Sequence, residues 1–343
     1  MSMSVDGPKA INPGERVLVT GANGYIGSHV VDFLLSLGYI VRGTVRAEKP
    51  WLNQFFDTKY GYGKFETTII PRLDDQKALT EALSDTSGVV HVASDVSFEA
   101  STAVRSYVVS ATEAVLDAAA KASVTRVVLT SSLSAVLVSR PGVEGIVVTE
   151  NTWNDFAVKL AHDENIPADE RGIMIYAASK TEGERAAWRW IKENKPTFIF
   201  NTVLPDFTIG QVLCPEVRGS TMNLTSKLLE GNDTIMKVAP PQHYIDVKDL
   251  ARIHAVALLD PKVQSERIFG MAYPFTWKEI ISVLRELRPS NGKLVNPPED
   301  EPKDLSNVLP SKRAKDLLRS FFGQSDWTEL RESLESGITS LGL

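Results

Sequence analysis

The stretch VLVTGANGYIGSHVVDFLLSLGY, residues 17–39, decides the fold of this chain. An apolar run leads into three glycines with the spacing G-x-x-G-x-x-G, and apolar residues at helical spacing follow. A strand, a glycine turn and a helix in this order form a phosphate-binding unit, because backbone N–H groups at the helix start face the pyrophosphate. We therefore predict a dinucleotide-binding loop with the residues Gly21, Gly24, Tyr25, Ile26 and Gly27.

The sequence beyond this loop alternates between β-branched runs and segments of helical periodicity. Predicted strands cover 16–20, 39–45, 65–70, 88–93, 127–129 and 198–204, and predicted helices cover 26–37, 74–84, 101–122 and 176–193. This alternation predicts an α/β fold of the Rossmann type, in which helices cover both faces of a doubly wound parallel sheet.

The less regular second half of the chain predicts a smaller, mostly C-terminal substrate-binding lobe. We assign residues 1–204 and about 241–262 to the dinucleotide-binding domain, and residues 205–240 and 263–343 to the lobe. Residues 244–247, which read as a short strand, are expected to join the sheet of the larger domain.

Composition and charge limit the kinds of molecule that we expect the chain to bind. The 343 residues carry a formal net charge of −6, which provides no electrostatic footprint for nucleic acid or an anionic membrane. The single cysteine, Cys214, allows no intrachain disulfide, as is usual in a reducing compartment. The polar N-terminus lacks a signal core, and no run reaches the ~20 apolar residues of a membrane helix. We therefore expect a cytoplasmic protein without nucleic-acid or membrane partners, and a homodimer is left open.

The residues at the end of the second predicted strand indicate whether the chain prefers NAD or NADP(H). It reads VRGTVR, residues 41–46, and lacks the acidic residue that usually binds the ribose 2′-OH of NAD. Arg46 suits the 2′-phosphate of NADP(H), which a guanidinium binds through two hydrogen bonds, and Lys49 is a candidate second cation. An arginine that is merely solvated remains the alternative.

Tyr176 and Lys180 are four residues apart in a predicted helix and therefore share one face. A free tyrosine has a pKa of about 10, and a neighbouring ammonium together with a positive nicotinamide ring favours the phenolate. Ser132 follows the fifth strand, where its hydroxyl can hydrogen-bond a substrate carbonyl, and Ser131 is a close competitor. We predict that Tyr176 is the proton donor of a carbonyl reductase, helped by Lys180 and Ser132.

We interpret the remaining groups of polar and aromatic residues as structural rather than functional. The five histidines lack metal-ligand spacing, so no metal site is expected. Neither serine after the fifth strand lies in a G-x-S-x-G elbow, which disfavours a serine hydrolase. We interpret Trp188 and Trp190 as part of one helix with a partly buried face. Solvated charges are expected at Asp74, Asp75, Glu182 and Glu184.

With these residues placed, the chain resembles the extended short-chain dehydrogenase/reductase family over nearly its whole length. The most similar branch is that of the fungal NADPH-dependent aldehyde and carbonyl reductases, which are related to plant dihydroflavonol reductases. The resemblance rests on the glycine stretch and on VRGTVR, GVVHVAS, RVVLTSS, IYAASKTEGERAAW, NTVLPDFTIG and PPQHYIDVKDLARIH.

The resemblance implies further site residues. Cofactor contacts implied besides the glycine loop, Arg46, Tyr176 and Lys180 are Leu73, Val92, Ala93, Ser94, Thr130, Leu204 and Pro205. The implied substrate pocket consists of Asp95, Val96, Phe98, Ser132, Asp206, Leu224 and Gln242. One departure is Arg72, which replaces an acidic residue that commonly contacts adenine, with Asp74 as a candidate substitute.

These observations favour NADPH-dependent reduction of aldehydes and ketones, such as keto esters or aryl ketones, to alcohols. A sugar-nucleotide epimerase or dehydratase on the same fold is one alternative, and the missing acid after the second strand disfavours it. A non-catalytic redox sensor that binds NADP(H) is the other alternative, and the presence of both Tyr176 and Lys180 disfavours it.

Overall fold

The computed structural model describes residues 8–94, 102–161, 163, 168–217 and 220–343, without the side chains of 102–104, 168–170 and 220. The strands are β1 (Arg16–Thr20), β2 (Ile40–Val45), β3 (Phe65–Ile69), β4 (Gly88–His91), β5 (Arg126–Thr130), β6 (Val147–Val148), β7 (Ile199–Pro205), β8 (Phe207–Ile209), β9 (Tyr244–Asp246), β10 (Arg267–Gly270) and β11 (Asn307–Val308). The α-helices are α1 (Tyr25–Ser36), α2 (Pro50–Tyr60), α3 (Gln76–Ala82), α4 (Thr102–Lys121), α5 (Asp155–Leu160), α6 (Ala168–Asn194), α7 (Ser220–Ser226), α8 (Thr234–Val238), α9 (Val247–Leu259), α10 (Trp277–Leu287), α11 (Ser311–Phe322) and α12 (Leu330–Ser340). Short 3₁₀ helices cover Leu133–Ala135 and Lys227–Glu230.

The central sheet has seven parallel strands in the order β10-β7-β5-β4-β1-β2-β3. Its topology reverses at β1, because β1 pairs with β2 on one side and with β4 on the other. An open α/β sheet binds its ligands in the crevice beyond the carboxyl ends of the strands at such a reversal. The sequence-based prediction of a Rossmann-type parallel sheet is confirmed, and the sheet places its crevice beside the glycine loop.

Successive side chains of β1 enter two different apolar cores. Val17 and Val19 pack with residues of α1 and α9, whereas Leu18 packs with residues of α3, α4 and α6. All three side chains are fully buried. Burial of one such side chain contributes about 1.5–3 kcal/mol, and burial on both faces of the sheet explains why the strand reads as a continuous apolar run.

A third apolar core lies in the C-terminal part of the chain, around β8 and α10. Its aromatic centre includes Phe207 and Trp277, whose rings meet edge to face with centroids 5.7 Å apart. Tyr25, in the glycine loop, belongs to the same core, and its hydroxyl donates a hydrogen bond to the Gly210 carbonyl at 2.8 Å. The glycine loop is therefore packed directly against the chain that follows β8.

The prediction that residues 244–247 join the central sheet is wrong. β9 pairs with β8 in a separate two-stranded sheet, and the seventh strand of the central sheet is β10. The Asp246 carboxylate accepts a hydrogen bond from the Lys248 backbone N–H at 2.7 Å and so caps α9, which ends β9 after three residues. β10 lies within the segment assigned from sequence to the smaller lobe, and the proposed division into two domains stays a prediction.

Candidate active site

The glycine loop is a tight turn that only small residues can form. Gly21 has a φ of +67°, in the left-handed region that favours glycine. A Cβ atom at Gly27 would lie 2.2 Å from the Gly21 carbonyl oxygen, so α1 can approach the turn only because this position has no side chain. Gly24, the N-cap of α1, makes no side-chain cap hydrogen bond, which leaves backbone N–H groups at the helix start suited to a phosphate.

A cavity of about 420 Å³ extends from this loop along the carboxyl edge of the sheet. The predicted site residues that line it are Gly21, Gly24, Tyr25, Ile26, Gly27, Arg46, Leu73, Val92, Ala93, Ser94, Thr130, Ser132, Tyr176, Lys180, Pro205 and Asp206. The structure thus brings the glycine loop, the end of β2 and the tyrosine–lysine pair to one cavity. The volume lies within the usual range of cofactor and ligand sites.

Of the seven other predicted site residues, four are described and are not part of this lining. Lys49 is the N-cap of α2, and Leu204 is fully buried in an apolar cluster that also contains Phe269. Leu224 packs against the core around β8, and the Gln242 side chain donates a hydrogen bond to the Pro240 carbonyl at 2.9 Å. The remaining three, Asp95, Val96 and Phe98, lie outside the described residues. The roles of all seven stay predictions.

Arg46 is an exposed side chain at the rim of the cavity, directly after β2. Within the described part of the chain it has no ion-pair partner, so its guanidinium is available to a ligand. Arg72, by contrast, forms an ion pair with Asp74 at 2.6 Å, and its guanidinium lies 4.8 Å from the centre of the Tyr107 ring. Arg46 therefore lines the cavity with an uncommitted guanidinium, whereas Arg72 is engaged by Asp74, and the binding of a phosphate by Arg46 stays a prediction.

The catalytic candidates come from two elements. Ser132 is the N-cap of the 3₁₀ helix after β5, where its hydroxyl accepts a hydrogen bond from the Ser134 N–H at 3.1 Å. Tyr176 and Lys180 lie one turn apart on α6, and both face the cavity. A side-chain hydrogen bond joins Ser132 to the Tyr176 phenol. The competitor Ser131 also lines the cavity, but its hydroxyl is engaged, because it donates to the Glu184 carboxylate at 2.7 Å.

Burial dominates the acid–base properties of this group. It raises the pKa of Tyr176, Asp206 raises it further, and the hydrogen bond from Ser132 opposes both effects. In the chain itself the phenol pKa is thus higher than normal, whereas the sequence argument expected neighbouring positive charge to lower it. A raised pKa keeps the phenol protonated at neutral pH, which a proton donor requires. Burial lowers the pKa of Lys180 to about 8, and the charge of Glu184 acts in the opposite direction.

The expectation that Glu182 and Glu184 are solvated is wrong for both. Glu184 is 1% exposed, and Arg267 on β10 donates two hydrogen bonds to its carboxylate, at 2.8 and 3.0 Å. Glu182 forms an ion pair with Arg105 of α4. Both errors have the same cause. The spacing of apolar residues along α6 does not show that α4 and the central sheet cover this helix on two sides. Trp188 does lie on a partly buried face, as expected, with its ring 4.8 Å from that of Phe200.

Two residues that line the cavity were not predicted as site residues from the sequence. Tyr107 on α4 lines the cavity, and its hydroxyl accepts a hydrogen bond from the Leu73 N–H at 3.1 Å. His91 at the end of β4 is joined to the Thr20 hydroxyl at 2.8 Å, and burial lowers its pKa to about 4. The position of His91 at a strand end was a usable signal, whereas Tyr107 comes to the site only through helix packing.

Asp206 adds an acidic group to the cavity just after β7. One of its oxygens accepts a hydrogen bond from the His243 N–H at 3.0 Å. Burial raises its pKa well above the ordinary value, and the charge of Asp304 adds to that effect. The carboxyl group beside Tyr176 therefore carries its proton at a pH where most aspartates are ionised.

Neither a metal-binding cluster nor a membrane-spanning helix is found among the described residues. They contain no group of three or more His, Cys, Asp or Glu side chains that could hold a metal ion. Among the helices described, none combines the length and the hydropathy that crossing a bilayer requires.

The doubly wound sheet, the glycine loop and the adjacent Ser132, Tyr176 and Lys180 define the extended short-chain dehydrogenase/reductase class. The chain belongs to the NAD dependent epimerase/dehydratase family, whose model matches residues 17–272. The resemblance seen in the sequence is thereby confirmed.

Similar proteins span nearly the whole chain. Ketoreductase adrE of Penicillium roqueforti is 43% identical over 333 residues, covering 96% of this chain and 97% of the relative. Ketoreductase nvfG of Aspergillus novofumigatus is 42% identical, covering 97% and 98%. Aldehyde reductase 2 of Sporidiobolus salmonicolor is 37% identical, covering 95% and 96%. The fold matches that of yeast methylglyoxal/isovaleraldehyde reductase complexed with NADPH, with a TM-score of 0.76, 24% identity and coverage of 95% and 98%.

Proposed function

We propose that this chain is an NADPH-dependent reductase that converts aldehydes and ketones to alcohols. The observation that carries the proposal is the convergence of Ser132, Tyr176 and Lys180 on the cavity that begins at the glycine loop. The ketoreductase and aldehyde reductase names of relatives with 37–43% identity support it. A small carbonyl compound is the proposed substrate, with keto esters and aryl ketones as the classes to test.

The cavity fits a phosphorylated dinucleotide. The Gly21–Gly27 turn offers backbone N–H groups to a pyrophosphate, and a Cβ at Gly27 would close the turn. Arg46 is the proposed partner of the 2′-phosphate, and the lining residues Val92, Ala93, Ser94 and Lys180 would hold the nicotinamide ribose. NADPH, when bound, supplies the hydride for the carbonyl carbon.

The residues of the chain supply the proton and orient the substrate. Tyr176 holds a proton on its phenol oxygen and is proposed to pass it to the carbonyl oxygen. Ser132, hydrogen-bonded to the phenol, keeps the carbonyl oxygen within reach of that proton. Lys180 contributes a positive charge that stabilises the phenolate left behind. General acid help of this kind increases rates by about 10²–10⁴.

The proposed substrate end of the cavity includes Asp206, with Leu224, Gln242 and the 95–98 segment as further expected contacts. A cytoplasmic location is also part of the proposal. The single cysteine and the acidic composition support it.

The test is the variant Tyr176→Phe in an assay of NADPH oxidation against β-keto esters, aryl ketones and aldehydes. We expect turnover to fall by about 10²–10⁴, because the general acid is lost. Binding of NADPH, followed by quenching of protein fluorescence, is expected to persist. Tyr62→Phe is the matched control, since Tyr62 is 91% exposed and lies outside the cavity lining. Turnover by Tyr176→Phe close to that of Tyr62→Phe would refute the proposal.

A further inference from the structure

A buried ion pair lies behind the catalytic candidates. The Glu184 side chain is fully buried, and the Arg267 side chain is 8% exposed. Arg267 reaches both carboxylate oxygens, with its Nε 2.8 Å from Oε1 and its Nη2 3.0 Å from Oε2. Two parallel charge-assisted hydrogen bonds fix the plane of a carboxylate as well as its position.

The remaining hydrogen-bonding groups of this pair are also engaged. The Thr202 hydroxyl donates to Oε1 at 2.8 Å, and the Ser131 hydroxyl donates to Oε2 at 2.7 Å. The free end of the Arg267 guanidinium donates to the carbonyl oxygens of Glu150 and Thr152 at 2.7 and 2.9 Å. Donors on both of its oxygens hold the buried carboxylate in one orientation.

The same carboxylate is one helical turn from the catalytic lysine. Tyr176, Lys180 and Glu184 follow one another at intervals of four residues on α6, and all three line the cavity. Ser131, which donates to Glu184, immediately precedes Ser132, the residue hydrogen-bonded to the Tyr176 phenol. Glu184 is therefore one helical turn from Lys180 on α6. Its hydrogen bond to Ser131 also connects it to the next residue in the chain, Ser132.

We propose that Glu184, held by Arg267, is a positioning residue that serves two catalytic groups. Its negative charge keeps the buried Lys180 side chain an ammonium. Its hydrogen bond to Ser131 fixes the end of β5, from which Ser132 reaches Tyr176. The inference rests on the proposed reductase function and adds a charged pair that the motif residues do not include.

The surroundings of Lys180 make Glu184 its counter-charge. Burial lowers the pKa of Lys180 to about 8, and among the described residues the charge of Glu184 opposes this shift. On β4, His91 is neutral at pH 7, because burial lowers its pKa to about 4. After β7, burial raises the pKa of Asp206 well above its ordinary value, which weakens its tendency to carry a negative charge. From the side of α4, Arg105 is paired with Glu182 on α6.

The direction of the expected change follows from this balance. In Glu184→Gln the buried ammonium loses the counter-charge of Glu184, so the pKa of Lys180 falls below its value of about 8 and the proton is lost at lower pH. A substitution that only loosened the packing around Lys180 would change its pKa in the opposite direction. Water would then reach Lys180 and its pKa would rise towards about 10.4.

The experiment measures the titration of Lys180 directly. The full-length protein without added cofactor is labelled briefly with acetic anhydride across a pH series, and acetylation of Lys180 is quantified by mass spectrometry. We expect the midpoint of Glu184→Gln to lie about one pH unit below that of the unaltered protein. Glu182→Gln removes a charge from the same helix and is expected to leave the midpoint in place. An unchanged or raised midpoint in Glu184→Gln would overturn the inference.

The single substitution Glu184→Gln leaves Arg267 buried without a partner, which can prevent folding. A second variant keeps the inference testable in that case. Glu184→Gln combined with Arg267→Gln removes both charges of the pair, so Arg267 is not left as an unpaired buried ion. Because Glu184 is the charged group that raises the Lys180 pKa among the residues the structure describes, the midpoint is again expected to fall. Glu184→Asp keeps the charge and is expected to stay within a few tenths of a pH unit of the unaltered protein. A midpoint for the double variant equal to that of Glu184→Asp would contradict the assigned counter-charge.

Turnover provides the link to catalysis. The alkaline limb of the kcat–pH profile of Glu184→Gln is expected to move to lower pH by the same amount as the Lys180 midpoint. An alkaline limb that stays in place while the midpoint falls would remove the catalytic part of the inference. Because the labelling needs no turnover, a failure of the Tyr176→Phe test would remove the reductase proposal without affecting the labelling result.

Discussion

At the scale of single residues, we expect the selectivity between NADPH and NADH to depend on Arg46. Its side chain is exposed at the end of β2 and borders the cavity that starts at the glycine loop. A guanidinium binds a phosphate dianion through two charge-assisted hydrogen bonds, each stronger than a neutral one. The NAD-type acid is missing from this strand end, so a ribose hydroxyl has no equivalent anchor.

Arg46→Glu is expected to weaken NADPH binding by about tenfold to a hundredfold, because a charge-assisted hydrogen bond contributes about 1.5–3 kcal/mol. NADH binding is expected to hold or improve, since the new carboxylate can accept from the ribose hydroxyl. The dissociation constants of both nucleotides are measured by fluorescence quenching. Arg140→Glu makes the same change of charge at an exposed position outside the cavity and serves as the control. An unchanged NADPH-to-NADH ratio would remove Arg46 from the cofactor site.

At the scale of elements, β1, the glycine turn and α1 act as one unit. The Gly24 N–H donates to the Gly21 carbonyl at 2.9 Å, and the same carbonyl oxygen blocks any Cβ at Gly27. The start of α1 is therefore held against the end of β1, which is the geometry that presents N–H groups to a phosphate. Tyr25 extends the unit to the C-terminal core through its hydrogen bond to Gly210.

Gly27→Ala is expected to push α1 away from the turn, because its Cβ would lie 2.2 Å from a backbone oxygen. We expect nucleotide binding to fall more than tenfold and the midpoint of thermal unfolding to drop by several degrees, as overpacking costs about 1–3 kcal/mol. Gly292→Ala is the matched control, since a Cβ at Gly292 would meet no atom within 4 Å. Equal behaviour of the two variants would show that the turn tolerates a side chain.

At the scale of the whole molecule, neutral histidines are buried where elements meet. Burial lowers the pKa of His29, His91 and His254 to about 4 in each case. His254 joins α9 to β5, with its Nδ1 2.8 Å from the Leu250 carbonyl and its Nε2 2.8 Å from the Thr130 hydroxyl. A carbonyl can only accept, so Nδ1 carries the proton and Nε2 accepts from Thr130.

The pH dependence of stability follows from these shifts. Below a pH of about 6.5 the unfolded chain binds a proton at His254 that the folded chain does not bind, so stability falls as the pH drops towards about 4. His254→Gln lacks this titration. The gap in unfolding free energy between the unaltered protein and the variant is therefore expected to shrink by about 3 kcal/mol across that window. Urea unfolding at a series of pH values measures the gap, and a gap that stays constant would contradict the prediction.

The sequence alone predicted the features that contiguous residues define. The strand–turn–helix unit, the parallel sheet and the grouping of Ser132, Tyr176 and Lys180 each depend on a local pattern or on the rule that parallel strands end at one edge. The family resemblance rests on the same short strings. Helix boundaries were less well predicted, since α6 begins at Ala168, eight residues before the predicted start at Tyr176.

The tertiary structure decided which polar groups are buried and which strand completes the sheet. Glu184 and Arg267 are 83 residues apart, and only the docking of β10 beside β7 brings them together. The same docking, and not the segment around β9, supplies the seventh strand. A periodic pattern marks the face of a helix that avoids water but not the neighbour that covers it, so a long-range ion pair leaves no trace in local sequence.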